Sequence, residues 1–141
     1  MAIVTVNFFK RNFDVGGFVD RPFQKWKDSS YPGSRKTMVR SGNTKRDIKK
    51  LKVSQDQVIV GIGSHNHYAE IHNTGGKILI TPKMRRFFWA KFKETGRDYW
   101  KFLAITKKTH LDIPKRKFID DSKALEITAE RMIIKELNKL I

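Results

Sequence analysis

Cysteine is absent from the 141 residues. That excludes a disulfide framework, a thiolate metal site and a cysteine nucleophile, and it fits a cytosolic setting. Long apolar runs are also missing. Nothing approaches the ~18–20 residues a bilayer span needs, and "MAIVTVNFF" has neither the length nor the positive leader of a secretory signal. A soluble protein with no membrane partner is expected. There is no internal repeat, no low-complexity tract and no linker rich in Pro, Gly or Ser. One domain, 1–141, is therefore expected. A chain of this size buries roughly 68% of its unfolded surface, so it needs no metal or disulfide staple.

Acid is in short supply. Fourteen Asp and Glu face thirty Lys and Arg, for a net charge of +16. Such a field favours anionic partners: nucleic acid, an acidic protein surface or an anionic membrane. The cations fall in three groups. Residues 35–52, "RKTMVRSGNTKRDIKKLK", contain eight Lys or Arg against the single acid Asp47. Lys83, Arg85, Arg86, Lys91 and Lys93 form a second group, and Lys115, Arg116 and Lys117 a third. Separated groups suggest a positive face assembled by the fold rather than a basic tail. The candidate polyanion contacts are Arg35, Lys36, Arg40, Lys45, Arg46, Lys49, Lys50, Arg85 and Arg86.

Local patterns predict an α+β chain, an antiparallel sheet with helices on one side. "IVTVNFF" (3–9) is β-branched and aromatic and reads as a short strand. Residues 10–36 read as an irregular segment pinned by aromatic rings, Trp26 among them. "DIKKLKV", "SQDQ" and "VIVGIGS" predict a hairpin, with Val58 to Ile62 as a central strand. A two-turn helix is expected over 67–74, with Asn66 as its cap and Gly75 or Gly76 ending it. Thr81, Pro82 and Gly96 punctuate the next helix, and "YWKFLAIT" (99–106) reads as a strand. From Ser122 an amphipathic helix runs to the end, with an apolar stripe of Leu125, Ala129, Met132, Ile133, Leu137 and Leu140.

Catalytic and metal chemistry find little support. His65, His67 and His72 lie two and five residues apart, whereas helical zinc ligands sharing a face lie four apart. No third converging ligand presents itself. The letters "HNH" (65–67) are adjacent, so they cannot all face one metal and one phosphate, and no paired carboxylates accompany them. "GIGS" lacks the third glycine and the Lys-Ser/Thr of a nucleotide loop. Gly61 and Gly63 suggest instead a close approach of backbone or ring. No nucleophile elbow or general acid–base pair is visible. No catalytic residue, cofactor or metal is expected, and the chain does not read as an enzyme.

Five pieces stand in a telling order: Trp26, "MVRSGNTKRDI" (38–48), "VIVGIGS" (58–64), "YAEIHNTGG" (68–76) and "IPKRKFI" (113–119). In that order and spacing, over about 100 residues, the chain resembles the virion morphogenesis or tail-completion proteins of tailed phages and prophages. Family members often open with a longer helix before the tryptophan segment, where this chain reads as strand and irregular segment. "KRK" stands where the family usually has I-P-A-R-P. The resemblance implies a small α+β protein at the tail end or head–tail junction. It would act there as a ring of identical subunits, six-fold when assembled in a tail, without catalysis. Its partners would be copies of itself and tail-tube, portal or adaptor proteins, with DNA in the lumen. Its place would be the host cytoplasm during assembly, then the virion.

The motifs make physical sense without the family. Tyr68 and His72 lie one helical turn apart, so the rings can stack or share a hydrogen-bond partner. Tyr68, Ala69, His72, Gly75 and Gly76 are therefore read as setting the local fold. Pro114 stiffens the approach to Arg116 and Phe118, which alternate to one side of an extended segment. These three are read as a docking element for a neighbouring subunit. The rival reading is a monomeric, basic nucleic-acid-binding module. Trp26, Phe87, Phe88, Trp89 and Trp100 could then stack on bases, although at helical spacing they fit a core or subunit interface better.

Overall fold

The first fourteen residues after Met1 form a helix rather than a strand over 3–9: α1 spans Ala2–Val15. Val6, Phe9 and Phe13 recur at three and four residues and so share one face. Phe9 is 5% exposed and Phe13 fully buried, and Val6 packs against the same core. The β-branched run Ile3–Val4–Thr5–Val6 favours a strand locally, but burial of that aromatic face decides the outcome. Gly16 ends α1 in the left-handed conformation and donates its N–H to the Asn12 carbonyl.

The computed structural model describes residues 1–30, 36–64, 66 and 68–141. After α1 come β1 (Gly17–Phe18), β2 (Gln24–Lys25), α2 (Asn43–Asp47), β3 (Ile48–Val53) and β4 (Val58–Ile62). Then follow α3 (Ala69–Thr74), β5 (Gly76–Leu79), α4 (Pro82–Thr95), α5 (Asp98–Ile105), β6 (His110–Ile113) and α6 (Lys123–Leu140). The chain is α+β with purely antiparallel pairing among the described residues. Its strands are distributed over three two-stranded ribbons, β1–β2, β3–β4 and β5–β6.

The β3–β4 hairpin is the one expected. Its register runs from Ile48 opposite Ile62 to Val53 opposite Val58, with an irregularity between Lys50 and Lys52. With only β3 as neighbour, β4 is a half-buried ribbon strand, not the central strand its apolar run suggested. Ile48, Val60 and Ile62 turn toward α1 and the main core of Phe9, Phe13, Phe18, Trp26, Ala69 and Phe118.

A second, smaller cluster holds Ile80, Phe88 and Ala104. Here α4 starts as predicted: Thr81 Oγ1 accepts from the Met84 N–H at 3.2 Å, Pro82 follows, and Gly96 closes the helix. The segment 99–106, expected as strand, falls instead in α5, a helix over Asp98–Ile105. Trp100, Leu103 and Ala104 line one face against α4, and the Trp100 and Phe88 rings stack at 6.1 Å. Six aromatic and aliphatic residues, interrupted by Lys101 alone, mimic a buried strand, and only a partner helix reveals which of them face inward.

At α6, Ser122 Oγ accepts from the Leu125 N–H at 3.2 Å and donates to the Val19 carbonyl at 2.9 Å. Leu125 packs on the main core. The stripe then divides: Leu125, Ala129 and Met132 are partly buried, whereas Ile133, Leu137 and Leu140 are exposed. No helix among the described residues is long and apolar enough to cross a membrane.

Candidate functional site

Two of the five segments singled out in the sequence, "YAEIHNTGG" and "IPKRKFI", meet in space. α3 and residues 114–119 are separated by about forty residues of chain yet joined side by side. The His72 carbonyl accepts from the Arg116 N–H at 2.8 Å. The next residue, Asn73, completes the seam. Its Oδ1 accepts from the Phe118 and Ile119 N–H groups at 2.8 and 3.1 Å, and its Nδ2 donates to the Ile119 carbonyl at 2.9 Å. Gly75 ends α3 at φ 73°, ψ 170°, and a Cβ there would lie 3.0 Å from the Lys115 nitrogen. That backbone region is essentially confined to glycine. Gly76 opens β5, where a Cβ would meet only the Ile71 side chain at 3.4 Å.

Arg116 and Phe118 do alternate to one side, but that side is inward. Phe118 is 1% exposed and lies 5.2 Å from the Phe13 ring. Arg116 is 8% exposed, and its guanidinium donates to the Lys27 carbonyl at 2.8 Å and the Asp28 carbonyl at 3.2 Å. Neither forms the docking element expected of the segment with Pro114, because each already fills or bridges the subunit's own interior. Buried polar groups complete the seam: Asn12 Nδ2 donates to the Phe118 carbonyl at 2.9 Å, and Trp26 Nε1 to the Lys117 carbonyl at 2.8 Å. Each satisfies a backbone group that burial would otherwise leave without a partner. Sequence reading missed Asn12 and Asn73. Asn73 carried a signal, since it stands inside "YAEIHNTGG", whereas Asn12 carried none.

Tyr68 is 70% exposed and Ala69 is buried. The expected link between Tyr68 and His72 is a backbone one, from His72 N–H to the Tyr68 carbonyl at 3.3 Å, not a ring contact. Asn66 does not cap α3. A turn places it early, and its Nδ2 donates to Thr44 Oγ1 at 3.1 Å. Gly61 faces the Leu51 side chain, so the close approach there is aliphatic rather than backbone or ring.

His72 and Arg116 open onto a cavity of about 330 Å³ whose other wall is residues 36–44, with Ser29. The His72 Nδ1 is buried and has no hydrogen-bond partner among the described residues. Burial, and secondarily the Arg116 charge, holds the imidazole below its ordinary pKa. Burial also lowers Arg116, partly offset by Asp28. His65 and His67, the other histidines of the motif, lie outside the described residues. Among the described residues no three His, Cys, Asp or Glu side chains are grouped to hold a metal ion.

The cationic candidates separate into several roles. Lys36, Arg40, Lys49, Lys50 and Arg86 are exposed. Lys45 pairs with Asp14, and the Arg46 guanidinium donates to the Asn43 side-chain oxygen. Arg85 is not a free surface cation. Its guanidinium donates to the carbonyls of Ala104, Thr106 and Lys108 at 3.0, 2.8 and 3.3 Å, capping the end of α5. Arg35 lies outside the described residues.

Comparison with known proteins is negative at each level: no family model, no curated protein and no solved structure matches this chain.

Proposed function

We propose that this chain is a non-enzymatic structural subunit of a tailed phage or prophage, closing a ring that completes the tail or joins it to the head. The single observation that carries the reading is the unpartnered apolar surface on the last turns of α6. Ile133, Ile134, Leu137 and Leu140 are 52%, 56%, 54% and 84% exposed. Soluble monomers rarely present contiguous apolar surface on this scale, and helices that do so meet a partner.

The faces are also complementary in charge. At 100° per residue, Glu126 and Glu130 fall in line with Ile133 and Leu137, while Arg131, Lys135 and Lys139 take the opposite side of α6. The outer face of α4 carries Lys83, Arg86 and Lys93 between exposed Phe87 and Trp89. An acidic-apolar helix on one copy and a basic-aromatic helix on the next make a heterologous contact, the kind that closes rings. Two further observations support the resemblance itself. Its "YAEIHNTGG" and "IPKRKFI" segments form one hydrogen-bonded seam, and α1 stands ahead of Trp26, where family members carry a helix.

Assembly would take place in the host cytoplasm and end in the virion, against tail-tube, portal or adaptor surfaces, with cations toward DNA in the lumen. The test is a charge reversal across the contact. Leu137→Asp is expected to abolish rings seen by electron microscopy of concentrated protein or of tails. Glu130→Lys should weaken them, with partial recovery when Arg86→Glu is added. Rings unaffected by Leu137→Asp would overturn the proposal.

The exposed cations favour a second reading, a nucleic-acid-binding module. It predicts tight duplex binding at ~150 mM salt with a slope near 0.9 per phosphate contacted, and no self-association at any concentration.

A further inference from the structure

The cavity beside His72 and Arg116 is lined by cationic and hydroxyl side chains. Its lining brings together Arg116, His72, Lys36 and Arg40 with the hydroxyls of Ser41 and Thr44, and among the described residues it includes no carboxylate. At about 330 Å³ it lies at the small end of ligand pockets, ~300–1,000 Å³. Arg116 is the informative member. It is 8% exposed, yet no Asp or Glu lies within ion-pair distance of it among the described residues, and its guanidinium donates to the backbone carbonyls of Lys27 and Asp28. Asp28 offsets only part of the cost of burying this cation, and an anion arriving through the open side relieves more of it.

Two other features point to the same place. The His72 Nδ1 is buried with no partner among the described residues, and polar atoms of this kind call for a specific explanation. Met38, in the opposite wall, holds φ 65°, an unusual backbone state for a bulky residue. Such strain concentrates at ligand clamps.

We infer that this cavity is an oxyanion site taking a phosphate group, with Arg116 and His72 as its floor and Lys36 and Arg40 at its exposed rim. A guanidinium fork, an imidazole, an ammonium and hydroxyls line one cavity, and a phosphate group offers more acceptor oxygens to such a donor set than a carboxylate does. The phosphate can be free in solution or part of a nucleic-acid backbone. The site does not depend on the ring proposed above.

The test uses the full chain and inorganic phosphate at constant ionic strength, set against chloride. Phosphate is expected to raise the melting temperature saturably and to shift the His72 imidazole NMR signals. Arg40→Ala should leave the phosphate-free melting temperature unchanged and weaken phosphate at least about tenfold, whereas Arg86→Ala, outside the cavity, should leave phosphate affinity as it was. A second arm distinguishes the sources. If a short DNA duplex competes with phosphate and loses affinity more in Arg40→Ala than in Arg86→Ala, the phosphate is that of nucleic acid. If phosphate binds and duplex does not compete, the site is one for the free ion. Either result supports the site. It is overturned if phosphate acts no differently from chloride, or if Arg40→Ala and Arg86→Ala weaken it equally.

Discussion

Of the glycines at 75 and 76, only the first is demanded by the backbone. Gly75→Ala would force a Cβ onto φ 73°, ψ 170°, a region costing a side-chain-bearing residue about 1–3 kcal/mol. It would also press against the Lys115 nitrogen at 3.0 Å and Cα at 3.1 Å, where the neighbour is backbone and cannot swing away. The sum is about 3 kcal/mol. Gly16→Ala isolates the conformational part: φ is 72° but nothing lies within 4 Å, so about 1 kcal/mol is expected. Gly76→Ala meets only the Ile71 side chain at 3.4 Å, without a positive φ, and should stay within about 0.5 kcal/mol of wild type. Urea denaturation followed by tryptophan fluorescence ranks the three, with m-values expected to be equal. Gly75→Ala should also speed amide exchange at Arg116, whose N–H bonds the His72 carbonyl. If Gly75→Ala is no worse than Gly76→Ala, the reasoning about this corner is wrong.

Phe118→Ala removes a fully buried ring beside Phe13 and should cost about 3–5 kcal/mol of stability; a variant that stays stable and loses only self-association would restore Phe118 as a docking residue. Arg85→Ala should destabilise by about 2 kcal/mol, since it uncaps three carbonyls. Arg86→Ala should leave stability within about 0.5 kcal/mol of wild type, and if duplex DNA binds there it lowers the log–log salt slope by about 0.9. His72 has a folded pKa held below 6.5 by burial and by Arg116. Between that lowered value and 6.5 the unfolded chain binds more protons, so this contribution is complete above pH 6.5 and declines as pH falls through the window. Denaturation midpoints for wild type and His72→Gln, measured from pH 7.5 to 5, should diverge in that sense; parallel profiles would remove His72 from the account.

What could be read from the sequence was what local chemistry dictates. Thr81–Pro82 and Gly96 bracket α4 because a cap hydroxyl, a missing N–H and a left-handed residue act within a few positions. The β3–β4 hairpin was legible for the same reason, two apolar runs around four polar residues. α1 and α5 were not, because Ile3–Val6 and Tyr99–Ile105 have strand-like composition. Their helical faces become apparent only once Phe9 and Phe13, or Trp100 and Ala104, have something to pack against. At the candidate site, the alternation of Arg116 with Phe118 was visible, but alternation does not say which side is inside. That choice is made by Asn12, Trp26 and Asn73, which bond the segment from distant parts of the chain. The cavity had no sequence signature, because Lys36 and Arg40 come to face His72 and Arg116 only through the fold.

The most direct test of the proposed phage role is electron microscopy of particles made from the genome that encodes this chain, with the gene deleted and then restored. The account predicts that deletion leaves heads and tails unjoined, or tails with an unfinished end, and that restoring the gene repairs them. Whole, joined and infectious particles in its absence would contradict it.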